Sequence, residues 1–175
     1  VSLLYAKRGH LENAPGQNHF FLNDRIPLKL NPGGPNHEFT AALVGIADYF
    51  EALAGHHLDQ PPNTFKARAD AVFDFLAAHE NTLAARFAEF LSSKPNVRLL
   101  GSSVGDKEPR TPTFSFTVEG RASAEIPPLL EPGKVAIGCG NFYAPRLLAA
   151  LGVGDEDGEG GDGGVLRVSM AHYNT

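Results

Sequence analysis

The sequence has one cysteine, Cys139, among its 175 residues, so no disulfide can form within the chain. Disulfide-stapled scaffolds belong to oxidising compartments, and that architecture is excluded here. A single thiol points instead to an intracellular, cytoplasmic setting. No apolar run approaches the roughly 18 residues that a membrane-spanning helix needs, so no membrane role is expected. The opening Val1-Ser2-Leu3-Leu4-Tyr5 has no basic segment before it and is too short for a signal peptide. An initiating methionine is missing as well, which hints at a fragment of a longer chain. Positive charge is also scarce. Asp155, Glu156, Asp157, Glu159 and Asp162 carry no basic neighbour, and these five acids equal the whole net charge of -5. The rest of the chain is neutral, and no basic surface for nucleic acid is expected.

What is present suits a globular protein. A hydrophobic fraction of 42% beside 20% charged residues can build a real core. Residues 1–6 are apolar and read as a buried strand. Residues 7–35 are rich in Pro, Gly and Asn without a sustained period, and read as a long ordered loop serving a site. Phe39, Leu43, Ile46, Phe50 and Leu53 then recur at helical spacing, with Asn36 as cap and Gly55 as stop. After Pro61-Pro62, Thr64 caps a longer helix to about Ser93, its stripe including Val72, Phe73, Leu76, Leu83, Phe87, Phe90 and Leu91. Strands are expected at 97–100, 113–119, 135–138 and 165–170. In the second, Phe114, Phe116 and Val118 alternate with Ser115 and Thr117, which gives one buried face and one wet face. Short helices are expected at 122–131, despite Pro127-Pro128, and at 144–151, with Gly152 as stop. The acidic Gly/Asp/Glu stretch reads as a flexible surface loop. The sum is an α+β unit with a small, mainly antiparallel sheet.

Several chemical motifs fail on their spacing. Counting a calcium loop from Asp155 puts Gly160 correctly sixth but Leu166 twelfth, where a carboxylate is required. His37-Glu38 lacks a histidine four residues on, because Ala41 stands there, and His56-His57 reads as a surface pair. Cys139, between Gly138 and Gly140, reads as a small buried residue. Three segments are harder to set aside. Asn31-Pro32-Gly33-Gly34-Pro35-Asn36-His37-Glu38 is a glycine loop entering a helix, a place where main-chain amides and the helix dipole favour an anion. Gly138-Cys139-Gly140-Asn141-Phe142-Tyr143-Ala144 carries polar groups on a glycine-flexible loop. In Leu166-Arg167-Val168-Ser169, an arginine stands in an otherwise apolar or small strand. Its burial would demand an anionic partner, either a structural ion pair or a ligand.

In this order the three segments resemble the class V aminotransferase family, within it the cysteine-desulfurase-like branch of the pyridoxal-phosphate enzymes. The matching pieces are Gly33 to Glu38, Gly140-Asn141-Phe142-Tyr143-Ala144, and Arg167-Val168-Ser169 leading to His172-Tyr173-Asn174-Thr175. Leu3-Leu4-Tyr5-Ala6-Lys7-Arg8 resembles the strand after the family's cofactor lysine. The resemblance implies a fold type I enzyme. Residues 1–62 would be the end of the cofactor-binding large domain with a connecting helix, and 63–175 the small C-terminal domain. It implies pyridoxal 5′-phosphate as cofactor, an amino-acid substrate and a homodimer. Gly33, Gly34 and Asn36 would lie at the cofactor phosphate of a neighbouring subunit. Arg167 would take the substrate carboxylate, with Asn141 and Tyr143 beside it. The family's covalent lysine would lie before residue 1, since none of the six lysines (Lys7, Lys29, Lys66, Lys94, Lys107, Lys134) has its context. Tyr143 stands where group II desulfurases place a catalytic cysteine, so transaminase, lyase or racemase chemistry is expected rather than persulfide formation. The alternative is a catalytically inactive binding or scaffold module that keeps the fold.

Overall fold

The computed structural model describes residues 4–16, 18–21, 26, 28–30, 33–34, 36–102, 111–153 and 164–175. The chain forms two compact units, Val1–Val72 and Phe73–Thr175, and each is described by itself.

The first unit is helical among its described residues. A short helix α1 covers Arg8–Asn13 and a 3-10 turn covers Leu28–Leu30, so the stretch 7–35 is not wholly irregular. The expected strand at 1–6 is not found in its described part. Leu4 and Tyr5 are exposed and unpaired in any sheet, as an extended segment must be when no neighbouring strand takes its hydrogen bonds. Helix α2 spans His37–His57 and starts where the sequence places it, the Asn36 side chain accepting a hydrogen bond from the Phe39 amide at 2.7 Å. It runs through Gly55, whose backbone stays helical, and ends at an extended Leu58 whose amide donates to Ala54. Arg68 and Glu51 form a bidentate pair, Nε and Nη2 each donating to a carboxylate oxygen at 2.6 Å.

Helix α3 covers Phe65–Ser92, its start capped by Thr64, whose hydroxyl accepts from the Ala67 amide at 3.3 Å. Four strands follow: β1 (Val97–Leu100), β2 (Thr113–Val118), β3 (Gly138–Gly140) and β4 (Val165–Ser169). They form one sheet in the order β1-β2-β4-β3, antiparallel throughout. The three strands expected at 97–100, 113–119 and 165–170 are therefore neighbours. The fourth is displaced: Val135 to Ile137 pair with nothing in the sheet, and the strand begins at Gly138.

Directly opposed residues in such ladders share a face. The pairs Leu99–Phe116, Phe116–Leu166 and Phe114–Val168 thus build one apolar face. Ala84, Ala88 and Leu91 of α3, spaced at helical intervals, close on it with Phe114, Phe116 and Leu166. Small alanines let the helix approach, and Phe87 meets Phe114 edge-on with ring centroids 5.2 Å apart. The other face is less wet than the alternation implies. Helix α5 (Pro145–Ala150) ends in a left-handed Gly152, with the Val153 amide donating to Leu148 and the Gly152 amide to Ala149. That double closure folds Val153 back onto Leu148, and both pack against Val165. Between β2 and β3, α4 (Ile126–Leu130) tolerates Pro127-Pro128 because the pair occupies its first turn, where amides have no helical partner. The acidic stretch 155–162 lies outside the described residues.

Candidate functional site

Strand register decides where Arg167 points. It pairs with Ser115 on β2 and Gly138 on β3, so it stands on the face opposite Phe116 and Leu166. The alternation that buries Leu166 puts Arg167 outside, and its side chain is exposed rather than buried. This corrects the expectation of a buried arginine with an obligatory partner. Among the described residues no ion pair involves it.

Instead the guanidinium carbon lies 3.8 Å from the centre of the Phe142 ring. Phe142 also packs against the cluster formed by Leu148, Val153 and Val165. Residues 141–144 make a tight turn, closed by the Ala144 amide donating to the Asn141 carbonyl at 2.9 Å. Both central residues are left-handed, Phe142 with φ 49° and Tyr143 with φ 61°. Two adjacent non-glycine residues in that region are uncommon, and each costs on the order of 1–3 kcal/mol unless its surroundings hold it. Asn141 supplies part of the hold, its side-chain oxygen accepting from the Tyr143 amide at 3.0 Å. The turn throws the Tyr143 side chain fully into solvent. The turn that carries Asn141 and Tyr143 thus meets Arg167 through the Phe142 ring.

Two glycines make the arrangement possible. A Cβ on Gly138 would stand 3.1 Å from the Phe142 ring tip, and one on Gly164 would stand 2.5 Å from the Gly140 backbone. Gly164 is also left-handed, and its carbonyl accepts from the buried Ser123 hydroxyl at 2.9 Å. Cys139 is exposed, not buried. It faces the same side as its partner Leu166, but β3 is the edge of the sheet, where the core stops.

Gly33, Gly34 and Asn36 belong to the first unit. Nothing lies within 4 Å of a Cβ built on either glycine, so their main chain is open to an approaching group. The Asn36 oxygen is committed to capping α2, so what Gly33, Gly34 and Asn36 can offer an anion is N–H donors, from the main chain and the Asn36 amide nitrogen. Among the described residues no cluster of histidine, cysteine or carboxylate side chains could hold a metal ion. No described helix is long and apolar enough to cross a membrane.

The family model described as aminotransferase class-V matches residues 64–175. The chain belongs to the class-V aminotransferase family. Members of this family use pyridoxal 5′-phosphate, act on amino-acid substrates and are often dimeric. Aminotransferase-like protein FGM3 of Gibberella zeae is 33% identical over the whole of this chain, which spans 39% of that protein. A nonribosomal peptide synthetase-like enzyme of Aspergillus fumigatus is 30% identical over the whole chain, which spans 10% of it. A probable cysteine desulfurase of Pseudomonas putida is 29% identical over 78% of this chain and 34% of its own length. Among solved structures, a cysteine desulfurase from Thermococcus onnurineus aligns with 63% of this chain and 26% of its own, at 19% identity and a TM-score of 0.48. The chain thus spans well under half the length of the curated relatives it matches.

The sequence reading does not single out Phe142. The available signal is Asn141 followed by two aromatics between Gly140 and Ala144, since asparagine starts such turns and tolerates the left-handed region next to it.

Proposed function

We propose that this chain is part of a pyridoxal-phosphate-dependent, class V aminotransferase-like enzyme acting on an amino acid by transamination, elimination or racemisation, working as a homodimer. Residues 63–175 are its small domain, and residues 1–62 close its large domain. The observation that supports this best is Arg167: exposed, without an acidic partner among the described residues, and lying over the Phe142 ring in the turn that Asn141 and Tyr143 share. A structural ion pair would have used the guanidinium internally. Here its planar fork is left to an external anion, and a carboxylate matches it with two parallel hydrogen bonds.

The bound cofactor supplies the electron sink that stabilises a carbanion at the substrate's α-carbon. This chain's residues bind and orient around that chemistry. Arg167 fixes the carboxylate end, and Asn141 and Tyr143 sit where the remainder of the substrate is met. The open main chain at Gly33 and Gly34, just before a 21-residue helix capped by Asn36, would meet the phosphate of a neighbouring subunit's cofactor. The covalent lysine is assigned outside these residues. Lys29 is buried and donates to the Glu12 carbonyl, Lys66 pairs with Asp70, and Lys94 lies over the Phe90 ring. With Tyr143 in the turn and Cys139 on the edge strand, persulfide formation is disfavoured.

Arg167→Lys in the complete enzyme tests the assignment. Lysine keeps the charge but loses the fork, so kcat/KM should fall about 30-fold to several-thousand-fold, the roughly 2–5 kcal/mol of a charge pair that bound substrate shields from water. The melting temperature should hardly move. A lower melting temperature with normal kcat/KM would mark Arg167 as structural and would favour a catalytically inactive scaffold.

A further inference from the structure

An exposed arginine, with three methylenes before its guanidinium, samples many rotamers, and binding a carboxylate through two hydrogen bonds requires one of them. Holding that rotamer beforehand lowers what binding must order. The structure offers such a hold. The guanidinium carbon is 3.8 Å from the Phe142 ring centre, van der Waals distance, which a guanidinium reaches by laying its face on the ring. Stacking through the face leaves the in-plane N–H edges for an anion.

The ring itself is over-determined. It packs on the cluster of Leu148, Val153 and Val165, and Gly138 clears the space at its tip. Its backbone is held left-handed by the turn that Asn141 closes over Tyr143. Strain of this kind persists only where the surroundings enforce it, and the ring under Arg167 is what it delivers.

We propose that Phe142 is a positioning residue for substrate recognition, its ring the platform that holds the Arg167 guanidinium ready for the substrate carboxylate. The proposal rests on the assignment of Arg167 made above. Gly138 takes part, because a Cβ there would meet the ring tip at 3.1 Å and the ring would have to give by a few tenths of an ångström.

The test has two arms. In the complete enzyme, the Arg167 Nε–H proton should be shifted upfield by the ring current. The shift should survive Phe142→Tyr, shrink in Gly138→Ala and vanish in Phe142→Leu. An Arg167 resonance identical in wild type and Phe142→Leu overturns the proposal. In the complete enzyme, assayed with the L-amino acid of highest turnover from a full panel, Phe142→Leu and Gly138→Ala should each raise KM about 3- to 30-fold, with kcat little changed. Phe142→Tyr should restore KM, which a merely structural defect at the turn would not predict. If Arg167→Lys cripples the enzyme while Phe142→Leu leaves KM alone, the platform is wrong and the carboxylate assignment stands. If Arg167→Lys is harmless, or no amino acid is turned over, the assignment fails and the platform with it.

Discussion

The two units of this chain satisfy the same local rules with different results. In Phe73–Thr175, α3 and α5 cover parts of two opposite sheet faces, and Phe114, Phe116, Val165 and Leu166 are buried between layers. In Val1–Val72, the apolar residues buried among the described ones are Ala54 and Val72, while Phe20, Phe21, Val44 and Tyr49 are exposed. Helix α2 has its cap and its stripe, yet Phe39 in that stripe is 57% exposed. Capping and periodicity make a helix, but burial against a second layer makes it stable. Stability should therefore reside in the second unit.

The largest expected effect tests that directly. Phe114→Ala empties a fully buried site against Phe87, Phe116 and Leu166, and should cost about 3–5 kcal/mol in urea denaturation. Phe39→Ala should cost less than about 1 kcal/mol, as exposed positions do. Equal losses would break the comparison. Glycines sharpen it at the next scale. Gly164→Ala puts a methyl into the Gly140 backbone at a left-handed position and should cost about 2–4 kcal/mol, because backbone cannot move aside as a side chain can. Gly34→Ala meets open space, and its effect should stay within about 1 kcal/mol of zero.

How much of this was legible follows the same division. The helix starts at Asn36 and Thr64 were readable because a cap is local chemistry. Strand β2 was readable because Phe114, Phe116 and Val118 keep a strict period of two. The exposure of Arg167 was not, because Val165-Leu166 and Val168 blur the alternation on both sides of it. Only pairing with Ser115 and Gly138 reveals its face. Cys139 was misplaced for a related reason: burial depends on whether a strand is central or at an edge, and sequence carries no sheet order. Ala84 and Ala88 do not stand out in the sequence since large residues dominate a stripe, although small ones admit the sheet. At the candidate site the motif residues could be named, but the ring beneath Arg167 required coordinates.

A smaller effect probes the first unit's own logic. If α2 is held chiefly by local interactions, Asn36→Ala should remove about 1 kcal/mol from it. Hydrogen exchange at the Phe39 amide and its neighbours should accelerate, while exchange at Phe114 in the second unit stays unchanged. Acceleration at both sites in parallel would mean that the units unfold as one.

The smallest expected effect is the pair Glu51–Arg68, which fastens α2 to the start of α3 within the first unit. The hydrogen bonds from Arg68 hold the Glu51 carboxyl below its ordinary range, against the opposing push of partial burial, and the guanidinium's charge adds to the lowering. The same hydrogen bonds raise Arg68, which stays protonated at any working pH. A carboxyl whose folded value lies below its unfolded value binds fewer protons when folded. Its contribution is therefore complete above the unfolded value, about 4.3 for glutamate, and is lost as the pH falls through the folded one. Glu51→Gln should then destabilise α2 modestly at pH 7, and the gap from wild type should close in acid, beginning below about pH 5. Raising the pH above neutral should leave the gap unchanged. High salt should narrow it at pH 7, since both side chains are partly exposed at 23% and 40%. A gap that persists at pH 2 would mean that Glu51 acts through packing of its stem, and the ion pair would no longer be part of what holds this unit.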